Sequence, residues 1–333
     1  GNAFGPRARV NDREAVLQRG SGVMDRSGQL AGGTLWDLQD VDSRTRSILL
    51  ERRLVSQELL GGKKGEPQRG TGVILSAREP LSIMVNEEDH LRLQTLLSGL
   101  RLHDGWSLVD RMDEELGHEL PLAFHHEFGF LTSCPTNVGT GLRASVLMHL
   151  PGLVLTKEIG QVLQGLNQVG LTFRGLYGEG SEVVGNFFQV SNQTTLGKSE
   201  EDLVDHLDRI VRQVIQYETQ ARQVLMKEAP AETEDKIWRA YGLLRFARSL
   251  SFEEMINLLS GVRLGAGLKL LPGLRVYTVN KIMIYSQKAH LEQAAGRDLP
   301  PPERDAHRAS YVRRILASEG VVTSEGEEST EDQ

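Results

Sequence analysis

The chain has 333 residues, 39% hydrophobic and 25% charged, a globular mix with room for one large domain or two modest ones. A formal net charge of −7 argues against generic nucleic-acid binding, and a single cysteine excludes an internal disulfide and fits a reducing cytoplasm. No apolar stretch approaches the roughly 18 residues that span a bilayer, so no membrane partner is expected.

The start, GNAFGPRARV, has no initiator methionine and no signal-peptide core, and is read as the interior of a longer chain. Residues 1–50 read as irregular, with GSGVMDRSGQLAGG as loop. GTLWDLQDVDSRTRSILLERRLVS suits a helix leading into a strand, and GGKKGEPQRG (61–70) a turn. TGVILS, LSIMVN, FGFLTS and LTFRGLY are β-type runs that alternate with helical patterns, so the first two-thirds reads as a mixed sheet with helices packed on it. Two helical patterns split near Pro151, with Leu155, Ile159, Val162, Leu163 and Leu166 spaced as a buried face. Ser199 caps a long helix whose first turn holds Glu200, Glu201 and Asp202. Beyond residue 221 the chain reads as wholly helical, with one helix opening at Thr233 and another at the Ser251/Glu254 capping box. SEGVVTSEGEESTEDQ (318–333) is acidic and polar and reads as a disordered tail.

Three stretches carry chemistry. GTGLRA (139–144) fits the G-x-G-x-x-G/A dinucleotide pattern, with RASVLMHL as the following helix, yet Cys-Pro-Thr-Asn makes the turn too long for that fold. No Walker A loop exists, and a helix-entry loop with a solvated Arg143 is the plain alternative. SIMVNEEDHLRLQ (82–94) reads either as a charged strand end in water or as a base or metal cluster. Alternation along a strand puts Glu88, His90 and Arg92 on one face, suited to a cation and an anion together. RGLYGEGSE (174–182) is a further strand-to-glycine transition, with Arg174 before the turn and Glu179 inside it.

In this order NEEDH, CPTNVGTGLRAS and RGLYGEGSE resemble the guanidino-kinase (phosphagen kinase) superfamily, whose signature around a reactive cysteine is CPTN-x-GTG. MHLPGLVLTKEI, GNFFQVSNQTTLGKSEEDLV and ERDAHRA narrow the resemblance to bacterial protein-arginine kinases, from about residue 51 to 317. The resemblance implies an α+β fold: a catalytic domain of mostly antiparallel sheet flanked by helices (1–221), an all-helical domain (222–317) and the tail (318–333). The implied reaction moves the γ-phosphoryl of ATP, with Mg²⁺ held mostly by phosphate and water, onto an arginine guanidinium.

By the same resemblance Glu88 orients the guanidinium and acts as base, Glu179 is the second carboxylate, and Cys134 lies beside the guanidinium as a tuning thiolate. The implied ATP contacts are Arg53, Arg92, the run Arg143, Ala144, Ser145, Val146 and Leu147, and the run Arg174, Gly175, Leu176, Tyr177, Gly178 and Glu179. Arg304, Asp305, Arg308 and Ala309 are implied to form an allosteric phosphoarginine pocket. The residue pattern alone favours an ordinary solvated face, with Arg304 and Arg308 at i, i+4.

Two departures bear on activity. The family's upstream Ser-Ser-Arg-x-Arg segment has no counterpart here, and Arg53 stands where relatives place a histidine. The implied setting is a cytoplasmic homodimer that marks misfolded proteins and a heat-shock repressor for a Clp-type unfoldase–protease, with a zinc-binding activator protein. The alternatives are a small-molecule guanidino kinase and a non-catalytic phosphoarginine reader.

Overall fold

A helix, α1 (Val10–Arg26), runs through part of the glycine-rich stretch expected to be loop. It persists because Val16, Leu17 and Val23 bury against a sheet. That burial outweighs the cost of helical glycines at about 1 kcal/mol each. The computed structural model describes residues 3–62, 65–77, 80–175 and 183–318. It divides into two units, Gly1–Val146 with Ser191–Ile210 and Leu147–Val190 with Val211–Gln333.

The first unit is built on an antiparallel sheet ordered β1 (Thr34–Asp37), β2 (Gly72–Leu75), β3 (Leu81–Val85) and β4 (Leu91–Thr95). The segment expected to run from helix to strand has the reverse order: β1 comes first and α2 (Ser43–Glu51) follows. Asp42 fixes that order by accepting the Arg44 and Thr45 amides, each at 3.0 Å, as the α2 N-cap. One face of the sheet sets Ile74, Ile83 and Leu93 beside α1 and α3 (Leu102–Glu119), with Met112 and Leu116 buried there. The other sets Val73 and Met84 against Leu49, Leu54 and Leu59. Because both faces are covered, β2 and β3 are buried along their whole length, which is why apolar residues fall on both faces of each and Ser82 is the one polar side chain in them. The register Trp36, Val73, Met84, Arg92 places Arg92 on the α2 face of the outer strand.

After α3 the chain makes a hairpin of two-residue strands, β5 (Phe124–His125) and β6 (Gly129–Phe130), so the strand expected at 128–133 shrinks to Gly129 and Phe130. The helix expected at 143–150 is instead β7 (Ser145–His149). Pro151 then opens a short helix, α4 (Pro151–Leu155), and α5 (Ile159–Gln168) follows. Leu155 is 42% exposed and only Leu166 of α5 is fully buried, so the apolar face expected across 155–166 is half-covered.

β7 joins a sheet ordered β7-β9-β8, with β8 (Leu171–Arg174) and β9 (Phe187–Asn192). The Ser199 hydroxyl accepts the Asp202 amide at 3.1 Å at the head of α6 (Glu200–Glu228), as its sequence requires. Residue 221, the expected domain boundary, lies inside α6. The second unit continues through α7 (Pro230–Phe246), α8 (Phe252–Gly267), α9 (Val276–Tyr285), α10 (Lys288–Ala295) and α11 (Pro301–Ser318). α7 starts at Pro230, and the expected opener Thr233 is buried in its first turn. Ile237, Leu244, Met255, Leu259, Val279, Ile282 and Val312 form the core of this unit. The tail from 319 lies outside the described residues, and no described helix is long and apolar enough to cross a membrane.

Candidate active site

Asn86 ends β3 with φ +60, a conformation asparagine tolerates better than most residues, and turns the chain back into β4. Its amide donates to the His90 carbonyl at 2.9 Å. Its side-chain nitrogen donates to the carbonyls of Arg13 (2.9 Å) and Gly70 (2.7 Å), and its oxygen meets His90 Nδ1 at 2.8 Å. His90 Nε2 lies 2.7 Å from the Ala3 carbonyl, and a Cβ at Gly5 would come within 2.2 Å of the Glu88 carbonyl. The turn holding Glu87, Glu88 and Asp89 is therefore anchored on both sides.

Because these acids sit on a turn, the strand alternation expected for Glu88 and His90 does not apply. His90 serves the turn, and Arg92 pairs with Glu87 at 2.6 Å. Glu87 is nearly covered, with 6% of its side chain exposed. Glu88 is exposed. Its carboxyl titrates above the ordinary glutamate range, first because of partial burial and then because Asp89 and Glu87 repel its charge. Arg92 and a hydrogen bond with the Cys134 side chain pull the other way, which places Glu88 and Cys134 together.

Asp89 Oδ1 accepts the Ser133 amide at 2.6 Å, binding the acidic turn to the cysteine loop. In that loop the Thr132 hydroxyl donates to the Cys134 carbonyl at 2.7 Å, and Cys134 Sγ lies 3.0 Å from Thr136 Oγ1. Pro135–Asn137 form one 3-10 turn. Gly139 follows with φ +113, where a Cβ would lie 2.4 Å from the Thr195 carbonyl. Only glycine permits that approach. Thr195 Oγ1 in return lies 2.7 Å from the Val138 carbonyl and 3.0 Å from that of Thr136, with its one proton to share between them. Asn192 Oδ1 accepts the Ala144 amide at 2.8 Å, and its nitrogen donates to the Leu142 carbonyl at 2.9 Å. These braces fix the loop that leads into β7. Arg143 Nη2 donates to Ser191 Oγ at 3.2 Å, and alternation along β7 exposes Arg143, Ser145 and Leu147 in step.

Arg53 also belongs to the first unit. Its φ is +60, and its carbonyl accepts Gln94 Nε2 at 2.7 Å, with Gln94 on the Arg92 face of β4. Arg174 and Gly175 end β8 in the second unit, while Leu176, Tyr177, Gly178 and Glu179 lie outside the described residues. Among the described residues no group of three His, Cys, Asp or Glu side chains is placed to hold a metal.

In α11 Arg304 is half-buried and Arg308 is 2% exposed, so the two do not form an ordinary solvated face. Arg308 Nε donates to the Ser286 carbonyl at 3.0 Å, and its Nη1 to the Leu250 carbonyl at 2.8 Å and to Asp305. Ala309 is fully buried beneath them.

The sequence reading passed over Asn86, Asn192 and Thr195, and gave Asp89 no role beyond a share in the acidic cluster. Asn86 had a local signal, an asparagine between a strand and a charged turn. The other three act on partners 44 to 59 residues away, which no local pattern displays.

A family model described as "ATP:guanido phosphotransferase, C-terminal catalytic domain" matches residues 16–221. A second, described as "Protein-arginine kinase McsB C-terminal domain", matches 230–329. A protein-arginine kinase of Moorella thermoacetica is 48% identical over 297 residues, 89% of this chain and 82% of its own. One from Bacillus cereus is 44% identical over 285 residues, 86% and 79% of the two chains. Among solved structures, a substrate-free duplicated taurocyamine kinase of Schistosoma mansoni superposes with a TM-score of 0.59 at 26% identity, covering 72% of this chain and 35% of its own.

Proposed function

The chain belongs to the ATP:guanido phosphotransferase family and to its protein-arginine kinase branch, and from that premise we propose that Glu88 is the base that delivers the ATP γ-phosphoryl group to arginine side chains of proteins. The observation that carries this reading is the raised Glu88 carboxyl beside Cys134 on a turn locked from both sides.

An arginine guanidinium is protonated at neutral pH and has no free lone pair. Glu88 accepts one N–H proton as that nitrogen attacks the γ-phosphorus. The N–P bond forms, the bond to the ADP oxygen breaks, and the proton ends on Glu88. Partial burial makes Glu88 a better proton acceptor than an ordinary surface glutamate. Cys134, held by Thr136, faces the guanidinium and tunes it. Arg92, Arg143 and Arg174 neutralise charge on the phosphates, with Arg53 nearby on the Arg92 face, and the exposed edge Arg143, Ser145, Leu147 lies along the nucleotide. ATP enters as its Mg²⁺ complex. Glu179 supplies the second carboxylate for the guanidinium.

The pocket around Arg304, Asp305, Arg308 and Ala309 takes phosphoarginine, with Arg308 as its fixed floor and Arg304 as the arm toward the phosphoryl group. The same reading assigns the product a role as a degradation mark in the cytoplasm, read by a Clp-type unfoldase–protease. It also includes a homodimer, a zinc-binding activator and a heat-shock repressor among the targets.

The test incubates the protein with Mg²⁺ and γ-labelled ATP, offering an arginine-rich protein in one arm and free arginine in the other. Acid-labile label on the protein and none on free arginine is the expected result. Label confined to free arginine would overturn the protein-substrate assignment.

A further inference from the structure

The hairpin β5–β6 is built as an extension of the cysteine loop. Its strands have two residues each, too few to hold by themselves. The Phe130 amide donates to the Gly139 carbonyl at 2.8 Å, and the Gly139 amide donates back to the Phe130 carbonyl at 3.3 Å. The Leu131 amide donates to the Ala123 carbonyl at 2.8 Å. Gly129 has φ +72, and a Cβ there would lie 2.5 Å from the Gly139 carbonyl oxygen, so hairpin and loop touch backbone to backbone. Leu196 joins them from another strand end, its Cα 2.9 Å from where a Cβ on Gly139 would stand.

These segments carry apolar side chains that bury little. Phe124 is 61% exposed and Phe128 50%, and Leu131 and Leu196 are exposed as well. The rings are nevertheless held in place. Phe124 meets Phe130 edge-on with centroids 5.3 Å apart, and His125 stacks on Phe128 at 4.9 Å and on His126 at 4.6 Å. Rings already ordered lose little freedom when a ligand covers them, which suits them as anchors.

Their position says what covers them. Leu131 is three residues from Cys134, a span of at most about 11 Å. An arginine of a protein substrate held at Glu88 and Cys134 brings its neighbours in sequence with it, and an extended chain covers that span in about three residues. The acids Glu87, Glu88 and Asp89 suit the guanidinium and are tied to this loop by the bond from the Ser133 amide to Asp89 at 2.6 Å. From Ala123 to Leu142 no lysine or arginine stands to repel it. Acids at the centre and apolar surface beside them complement a cation set among apolar side chains. We propose that Phe124, Phe128, Leu131 and Leu196 form a rim that receives bulky apolar side chains lying within about four residues of the target arginine, and so selects arginines in apolar sequence. The proposal rests on the reading that this site phosphorylates arginine in proteins.

The experiment measures kcat and KM with Mg²⁺ and γ-labelled ATP for two peptides of equal net charge, each with one arginine. One carries leucine and phenylalanine two and three positions to either side, and the other carries serine there. The apolar peptide is expected to have a kcat/KM about tenfold higher, the effect of half-burying a large apolar side chain or two, with the difference in KM. In the double variant Phe124→Ser, Phe128→Ser the ratio falls toward one. Leu196→Ser, which leaves the hairpin intact, lowers it separately, and Phe128→Leu retains it. All three positions are exposed, so these changes leave the core alone. A ratio that survives the double variant and Leu196→Ser overturns the assignment to these residues. A parent ratio of one overturns the rim and leaves the protein-substrate reading standing; if the double variant then also self-associates less by sedimentation, the face belongs to a second copy of the chain. Label on free arginine and on neither peptide overturns the protein-substrate reading and the rim with it.

Discussion

The Asp89 carboxylate accepts the Ser133 amide at 2.6 Å, and this bond spans the 44 residues that separate the acidic turn from the cysteine loop. A hydrogen bond to a charged acceptor contributes about 1.5–3 kcal/mol, enough to decide where Cys134 stands relative to Glu88. Asp89→Ala is expected to lower kcat by about 10- to 100-fold, the scale of a displacement of roughly 1 Å at a reacting group. The unfolding midpoint should fall by a few degrees at most, in line with the loss of that one bond. Asp89→Asn keeps an oxygen acceptor and should restore much of the rate. Equal loss in both variants would assign Asp89 a role through its charge alone.

Glu88→Gln removes the proton acceptor and should reduce phosphoryl transfer by about 10²- to 10⁴-fold, the usual contribution of a positioned base. The raised Glu88 carboxyl also sets a pH dependence. A base must be ionised, so kcat/KM should fall on the acid side with an apparent pKa above the ordinary glutamate value of 4.5. In Asp89→Asn one repelling charge is gone, and that acid limb should move to lower pH. A folded-state pKa above the unfolded one means that ionising Glu88 opposes folding, so stability falls as pH rises through that window. Glu88→Gln should therefore not lower the unfolding midpoint at neutral pH. A pH–rate profile and a thermal scan of the variant check both statements.

The chemistry of this chain is more legible in its sequence than its local structure. By their resemblance to the family motifs, NEEDH and CPTNVGTG single out Glu88 and Cys134, whatever element carries them. RASVLMHL reads equally as a helix or a buried strand, since a short apolar run has no decisive period. Its place beside β9 makes it β7. Gly20 and Gly22 signal a loop, yet tertiary burial of Val16, Leu17 and Val23 holds them in α1. Arg308 looks like a solvated helix residue until its contacts with Leu250 and Ser286, 58 and 22 residues away, take it out of water.

Two glycines of the cysteine loop make a matched pair. Gly139 has φ +113 and no room for a Cβ, which would lie 2.4 Å from the Thr195 carbonyl. Gly141 has φ +64, and a Cβ there would have its nearest contact at 3.9 Å. Gly141→Ala should cost about 1–2 kcal/mol, the backbone penalty alone. Gly139→Ala adds a clash with main chain and should cost more and depress activity. Chemical denaturation of both variants measures the difference.

His149 is half-buried, with its Nδ1 closed off from solvent, and is neutral at pH 7. Its pKa is held well below 6.5 first by burial and then by the charges of Arg263 and Arg222. The unfolded chain binds that proton more readily than the folded one, so stability is complete above about pH 6.5 and declines as pH falls below it. One proton limits the slope to about 1.4 kcal/mol per pH unit. His149→Gln keeps a donor toward Ser260 and should flatten the decline between pH 7 and 5. An unchanged slope would show that other groups carry the acid sensitivity.

Arg304 and Arg308 stand one helical turn apart in α11 and should fail in different ways. Arg308→Ala leaves the Leu250 and Ser286 carbonyls and Asp305 without their donor, and breaking a buried ionic contact costs about 3–5 kcal/mol. Its unfolding midpoint should drop sharply, and any loss of phosphoarginine binding would follow from that. Arg304 is half-buried, and among the described residues its guanidinium has no hydrogen-bonded partner. Arg304→Ala should therefore leave the midpoint within about 0.5 kcal/mol of the parent while weakening phosphoarginine binding at least tenfold by calorimetry. A stable Arg304→Ala that binds phosphoarginine as the parent does would remove Arg304 from the pocket and leave α11 a purely structural helix.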